Sequence, residues 1–323
     1  MRNARSMDED DIRSRPKRST RPRTKDRPDY SAADQGLVIA VDRGRITCLV
    51  GEEIVTAMKS RELGKNAVVV GDHVGIVGDT SGSEGSLARI VTVNERRNTL
   101  TRTVDDVATV EKMIVANVDQ MAIVIAAANP EPRHGFVDRA LVVAFDQGIK
   151  PIIIVTKRDL ADATEFLKPY TELDIPILQR ERGADLAPIR EILEGKVTVL
   201  LGHSGVGKST LVNALVESSN RLTGSVNEVT GHGRHTSSSA VALMLDSGTG
   251  WIIDTPGVRS FGVAHIKTDR ILSAFAEFSE AIEHCPKNCS HNEEECALNN
   301  WPSFGEKELS RLDSLRRILA GSK

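Results

Sequence analysis

The sequence predicts a multidomain α/β chain: an N-terminal OB-type β-barrel, a phosphate-loop domain with a mostly parallel sheet, and a C-terminal metal-binding helical module. Three observations predict it. Residues 36–102 are short apolar runs separated by Gly, Asp and Asn, strands and helices alternate from Asp119 onward, and Cys285, Cys289, His291 and Cys296 fall within a dozen residues. The chain has 323 residues, enough for two or three domains and at least one sizeable core. The expected boundaries are a disordered basic tail over 1–34, the barrel over 35–103, the nucleotide domain over 104–264 and the metal module over 265–323.

The tail has no core-forming pattern. Between Arg13 and Lys25 it is basic, punctuated by proline and nearly free of large apolar groups, so it is expected to be disordered. Such an arm serves equally well to neutralise RNA phosphates or to keep the chain in solution. With 42 Lys and Arg against 45 Asp and Glu, the net charge of -3 excludes a globally basic chain, and any nucleic-acid surface is local. No apolar run reaches the ~18 residues of a membrane span, and the first residues lack the apolar stretch of a secretory signal. The expectation is a soluble, cytoplasmic monomer with no membrane partner.

The barrel is read from six runs: Leu37 to Val41, Ile46 to Val50, Glu53 to Ala57, Ala67 to Val70, His73 to Val77 and Leu87 to Val93. Many such barrels stack nucleic-acid bases on aromatic side chains, but residues 36–102 contain no Phe, Tyr or Trp. What remains is a set of cations, Arg43, Arg45, Lys59, Arg61, Lys65, Arg89, Arg96, Arg97 and Arg102, suited to following a phosphate backbone without reading sequence. Solvated strand faces on a protein-docking module are the competing account.

In the central domain, Met121 to Ala126 reads as a buried strand, Phe136 to Asp146 as an amphipathic helix and Pro151 to Val155 as the next strand. Lys196 to Leu201 is a third strand, followed by Gly202-His203-Ser204-Gly205-Val206-Gly207-Lys208-Ser209-Thr210 and a helix-like run to Leu215. That is a complete phosphate loop: its amides surround phosphates, Lys208 reaches the outer ones and the Ser209 hydroxyl ligates magnesium. The quartet Thr156, Lys157, Arg158, Asp159 follows the second strand at its carboxyl end, where open α/β sheets place ligands. A carboxylate at Asp159 accepts both the ring imino and exocyclic amino protons of guanine, while the Lys157 stem lies against the base. Adenine lacks that donor pair, so GTP and GDP are the expected ligands. The run Gly250 to Asp254, then Thr255-Pro256-Gly257, fits the magnesium side, with Asp254 near the ion and the Gly257 amide facing the terminal phosphate. Between them, residues 230–239 are polar and glycine-rich, as a switch segment would be, and Thr236 is the expected switch hydroxyl on magnesium.

The base quartet precedes the phosphate loop in the chain, the order of a circularly permuted P-loop GTPase domain. From about residue 36 to 300 the chain resembles the ribosome small-subunit-dependent GTPase A family (RsgA, also called YjeQ). The marks are Gly71-Asp72 in the barrel, the quartet ahead of the phosphate loop, Gly233-Arg234-His235-Thr236, Asp254 to Arg259, and the Cys/His cluster. The resemblance implies a GTP hydrolase in late maturation of the small ribosomal subunit, slow alone and stimulated by the subunit and its rRNA, with hydrolysis promoting release. The chain departs from the family in three places. Thr156 stands where the family has Asn, no final guanine-side motif is recognisable around Gln179 to Gly183, and the metal ligands are each about one residue closer together.

Val258, beside Gly257, cannot orient a water as a glutamine does, so a low intrinsic rate is expected. His235 is the intramolecular candidate for positioning the attacking water, with a structural or RNA-contacting role as the alternative. Cys285, Cys289, His291 and Cys296 make a closed three-thiolate, one-imidazole shell of the structural Zn2+ type, one ion per chain. Free thiols in redox use are the competing assignment and fit a cytoplasmic protein less well. Flanking helices are expected over Asp269 to His284 and Gly305 to Leu319, the second offering Lys307, Arg311, Arg316 and Arg317 to RNA. Two other classes are a non-hydrolysing RNA-binding assembly factor, which Val258 keeps open although intact Lys208, Ser209 and Asp254 favour an enzyme, and a small-molecule kinase, which has no use for the Thr156 to Asp159 motif.

Overall fold

Five strands, β1 (Asp34–Asp42), β2 (Arg45–Val50), β3 (Glu53–Lys59), β4 (His73–Val77) and β5 (Ala88–Val93), close a barrel in this computed structural model of the chain. The structure describes residues 29–42, 44–64, 68–83, 85–103, 111–216, 240–255, 268–273 and 275–321. Residues 1–32 form one unit and 33–323 a second, to which everything below belongs. The barrel runs β1-β2-β3-β5-β4 and back to β1, antiparallel except for the parallel β3–β5 pair. Its inward residues, among them Val38, Cys48, Val55, Val74, Ile76 and Ile90, are fully buried, as period-two alternation requires.

The fourth apolar run, Ala67 to Val70, is not a strand where it is described. Val68, Val69 and Val70 are buried, but Val70 makes only an isolated bridge to Val115. The chain turns there instead: the Asp72 carboxylate accepts from the Val69 amide at 2.8 Å, and Gly71 sits at φ 88°. A β-carbon at Gly71 would lie 2.1 Å from the Ala116 carbonyl oxygen, so only glycine fits. Asp72 is buried completely and takes both arms of Arg96, at 2.6 and 2.8 Å. Asn117 donates to the Gly71 carbonyl and accepts from the Arg97 amide. The barrel is thereby joined to the hairpin β6 (Thr99–Thr103) and β7 (Glu111–Ala116), which the sequence reading did not anticipate.

Beyond the hairpin lies a six-stranded sheet ordered β10-β9-β8-β11-β13-β12: β8 (Gln120–Ala126), β9 (Lys150–Thr156), β10 (Ile177–Gln179), β11 (Val197–Leu201), β12 (Val241–Met244) and β13 (Trp251–Asp254). All pairs are parallel except β12–β13, and Ala40 of β1 pairs with Val241 to join barrel and sheet. Every residue of β8 is buried, the mark of a parallel strand covered on both faces. Its alternate residues Met121, Ile123 and Ile125 enter one core, and Ala122, Val124 and Ala126 the other. The first core takes α1 (His134–Asp146) and α2 (Thr164–Thr171), and the second takes α3 (Ala187–Leu193) and α4 (Lys208–Val216).

The helix expected from Asp269 to His284 is broken into α5 (Thr268–Leu272), a 3₁₀ turn at Ala276–Phe278 and α6 (Ser279–Glu283). The Phe275 amide bonds the Leu272 carbonyl, Phe278 bonds Phe275, and the break sends both rings into the first core. The last helix, α7 (Glu306–Gly321), forms as expected and buries Leu312, Leu315, Ile318 and Leu319 in that core, a helix-period stripe. Three of its cations are held by protein groups. Arg311 bonds Glu277 and the Glu172 carbonyl, Arg316 bonds the His291 carbonyl at 2.8 Å and the Asn299 side chain at 2.5 Å, and Arg317 pairs with Asp138 at 2.8 Å. The Lys307 side chain lies outside the described residues. No helix among the described residues is long and apolar enough to cross a membrane.

Candidate functional site

The phosphate loop leaves the carboxyl end of β11, the strand between β8 and β13, and runs into α4. Its backbone must pass close to the sheet: a β-carbon at Gly202 would lie 2.5 Å from the Val124 carbonyl oxygen. Gly205 and Gly207 take φ of 82° and 90°, folding the loop so that Lys208 and Ser209 open the helix. The Lys208 ammonium turns back onto the loop, donating to the carbonyls of Gly202 and His203. Burial pushes its pKa below the usual lysine value, while the Asp254 carboxylate opposes the shift, which places the two charges in one neighbourhood. Ser209 and Thr210 are exposed at the helix start, and Asp254, half-buried, ends β13. The following Thr255 is buried and bonds the Leu200 carbonyl of β11 at 3.1 Å, fixing that strand end beside the loop. Phe136 of α1 packs against His203 with ring centres 4.4 Å apart and the ring planes tilted by 47°.

Thr156 to Asp159 leaves the end of β9 on the same side. Thr156 is buried, and its hydroxyl lies 2.5 Å from the Val206 carbonyl and 3.2 Å from the Ile125 carbonyl, so it ties the quartet directly to the phosphate loop. Lys157 is in the left-handed region at φ 57° and its ammonium reaches the Asn129 carbonyl. Arg158 points away from the cleft to Asp162 at 2.6 Å. Asp159 is exposed, and one of its oxygens accepts from the Arg182 amide at 3.3 Å. Thr156, Lys157 and Asp159 line a cavity of about 370 Å³ together with Leu160, Arg180, Glu181, Arg182, Gly183, Gly207 and Thr210.

The structure thus brings together Thr156, Lys157 and Asp159 with Gly202 to Thr210 and Asp254. His235, Thr236, Gly257 and Val258 lie outside the described residues. Arg180 and Arg182 also line this cavity, and their only mark in the sequence is that Gln179 to Gly183 does not match the family pattern.

The second cluster holds Cys285, Cys289, His291 and Cys296, whose donor atoms all lie within 4.8 Å of one another. A tetrahedral ion with metal–sulfur bonds of about 2.3 Å and metal–nitrogen bonds of about 2.1 Å implies edges of about 3.8 Å between sulfurs and about 3.6 Å from sulfur to nitrogen. Cys285 and Cys296 are 3.8 Å apart, and His291 Nδ1 lies 3.6 and 4.0 Å from them. The residues fit such an ion. Burial holds the His291 imidazole below its usual pKa, in the neutral form that ligates metal. It also raises the Cys289 thiol to about 11, helped by the neighbouring Glu293 carboxylate. Arg316 secures this loop to α7 through the His291 carbonyl.

Arg45, Arg61, Arg89 and Arg97 are exposed, but Arg96 is not free to follow a phosphate backbone. Arg96 is held by Asp72, and Arg97 bonds Asp119 at 2.8 Å and the Asn117 carbonyl. The Lys59 ammonium bonds the Gly64 carbonyl. Arg43, Lys65 and the Arg102 side chain lie outside the described residues.

A family model described as RsgA GTPase matches residues 93–264. The protein named small ribosomal subunit biogenesis GTPase RsgA of Pseudomonas aeruginosa (strain LESB58) is 36% identical over 264 residues, 79% of this chain and 76% of that one. Its namesake in Ectopseudomonas mendocina (strain ymp) is 38% identical over 219 residues, 65% of this chain and 63% of that relative, a little under two thirds. The crystal structure of YjeQ from Thermotoga maritima superposes with a TM-score of 0.66 at 26% identity, covering 89% of this chain and 97% of that one. The structure of YloQ, described as a circularly permuted GTPase, gives 0.63 at 23% identity over 91% of this chain and 96% of that one, a likeness of fold. With the base quartet ahead of the phosphate loop, both converging on one cavity, the chain belongs to the RsgA GTPase family, a family of GTP-hydrolysing enzymes.

Proposed function

We propose that this chain is a GTP hydrolase acting in late maturation of the small ribosomal subunit, slow alone, stimulated by the subunit and its rRNA, with hydrolysis promoting release. The observation that carries the nucleotide half is the single cavity shared by Asp159 and the phosphate loop, with Thr156 bonded across to Val206. In this reading Asp159 accepts the two guanine donors and the Lys157 stem covers the ring. The Gly202 to Thr210 backbone surrounds the phosphates, and Lys208 leaves its loop carbonyls for phosphate oxygens. Ser209, Asp254 and Thr236 are the residues that would hold a magnesium ion, which would supply positive charge to offset that of the phosphates. Gly257 supplies an amide to the terminal phosphate and His235 positions the attacking water.

The ribosomal half rests on the names of the relatives, on the exposed Arg45, Arg61 and Arg89 of the barrel, and on the Cys/His loop packed beside α7. A structural Zn2+ is the ion proposed for that loop, since a four-donor shell leaves no open position for chemistry. A nucleotide-gated binder should sediment with purified small subunits when loaded with a non-hydrolysable GTP analogue and stay behind with GDP. Lys208→Ala should abolish the difference. Equal sedimentation in both nucleotide states would remove the release step from this account.

A further inference from the structure

We infer that Arg180 reads the guanine ring, its guanidinium donating to the acceptor pair formed by the base carbonyl O6 and the ring nitrogen N7. This rests on the guanine-nucleotide reading above and names a specificity residue within that site. Asp159 satisfies only the donor edge of the base, and the O6 and N7 acceptors need donors of their own. The Thr156 hydroxyl has one proton and faces two protein carbonyls, at 2.5 and 3.2 Å, so it has none for N7. The Lys157 ammonium is turned onto the Asn129 carbonyl.

Arg180 stands one residue past β10, fixed beside the base loop by two main-chain bonds. Its amide donates to the Val155 carbonyl at 2.7 Å, and its carbonyl accepts from the Arg158 amide at 3.2 Å. Its side chain lines the same cavity as Lys157 and Asp159, and its Nε is buried with no hydrogen-bond partner. A buried donor without an acceptor is an exception that calls for a cause, and a ligand acceptor is a sufficient one. The planar fork of arginine matches O6 and N7 as a pair. Adenine presents an amino donor in place of O6, so the same fork would face a donor and reject it. Arginine at this position thus supplies the base recognition that the unmatched Gln179 to Gly183 segment leaves unassigned.

The test is equilibrium binding of GDP, 7-deaza-GDP, IDP and ADP to the full chain and to Arg180→Met. 7-Deaza-GDP lacks the N7 acceptor, and IDP lacks the amine that Asp159 accepts. Wild type should bind 7-deaza-GDP about tenfold more weakly than GDP, the loss of one charge-assisted hydrogen bond. Arg180→Met should lose a similar factor for GDP and bind GDP and 7-deaza-GDP alike, while still preferring GDP to IDP. That retained preference shows the variant site to be folded. Equal wild-type affinity for GDP and 7-deaza-GDP overturns the proposal while leaving the guanine site intact, and so does an unchanged ratio in Arg180→Met. A wild type that binds GDP no better than ADP overturns both this proposal and the reading beneath it.

Discussion

Gly71 shows how much of this molecule hangs on single residues. Its φ of 88° and the Ala116 carbonyl 2.1 Å from any added β-carbon leave no room for a side chain. The turn it makes also delivers Asp72 to Arg96. Gly71→Ala should therefore cost more than about 3 kcal/mol in denaturant unfolding, because backbone strain and a displaced buried ion pair add together. A loss under about 1 kcal/mol would mean that the turn relaxes freely. The Gly71-Asp72 pair is visible in the sequence as a family mark, but its cause is not, since the contact is with residues 45 positions away. The residues proposed to bind nucleotide are legible for the opposite reason. Asp254 ends an apolar run, and Asp159, Lys208 and Ser209 follow one within a short motif of fixed spacing, so local sequence alone marks their place. Arg180 has no such local mark. Only the fold brings it to the cavity.

At the level of elements, the strands of the parallel sheet were legible because burial on both faces makes continuous apolar runs, as in β8. Val68 to Val70 has the same composition and is a buried turn, because Asp72 and Gly71 override strand propensity. The hairpin β6–β7, strand β12 and the three-residue parallel strand β10 carry little periodicity and are not legible in the sequence. The sequence offers the cations of α7 to RNA without showing their protein partners. Tertiary packing decides their place, and Arg311, Arg316 and Arg317 all turn inward. Arg317 lies 2.8 Å from Asp138, which is 2% exposed and also accepts from Tyr170 at 3.0 Å. Burial raises the Asp138 carboxyl above its usual pKa, and Arg317 opposes the shift. A raised carboxyl pKa means that the folded chain holds a proton the unfolded chain releases, so the group destabilises the fold as pH rises above about 4. Arg317→Met removes the opposing charge and leaves Asp138 buried without a cation. It should cost about 3 kcal/mol at pH 7, and less at pH 5, in thermal or denaturant unfolding. A loss independent of pH would assign the effect to the lost contact of the Arg317 guanidinium over the Tyr170 ring, 5.1 Å from its centre, instead.

On the scale of the whole molecule, permutation changes chain order and leaves the layered arrangement intact. The strands β8, β9 and β10 precede the phosphate loop in sequence, yet lie on one side of β11, with β13 and β12 on the other. Barrel, hairpin, sheet and metal loop share contacts through residues 33–323. Ile39 of β1 enters the same core as α1 and α7, and Cys296 of the metal loop enters it too. Modules that might have been tethered are packed together, so a partner that docks on the barrel or the metal loop acts on the body that holds the nucleotide. The central claim is that a small ribosomal subunit completes this GTP site. The most direct test is steady-state GTP turnover of wild type and Lys208→Ala, with and without purified small subunits and with ATP as control. The account predicts a slow basal rate, a rise of at least tenfold with subunits, specificity for GTP and loss in the variant, against rises of up to ~10⁵-fold when partners complete small GTPase sites. Turnover of GTP that does not respond to subunits would contradict it.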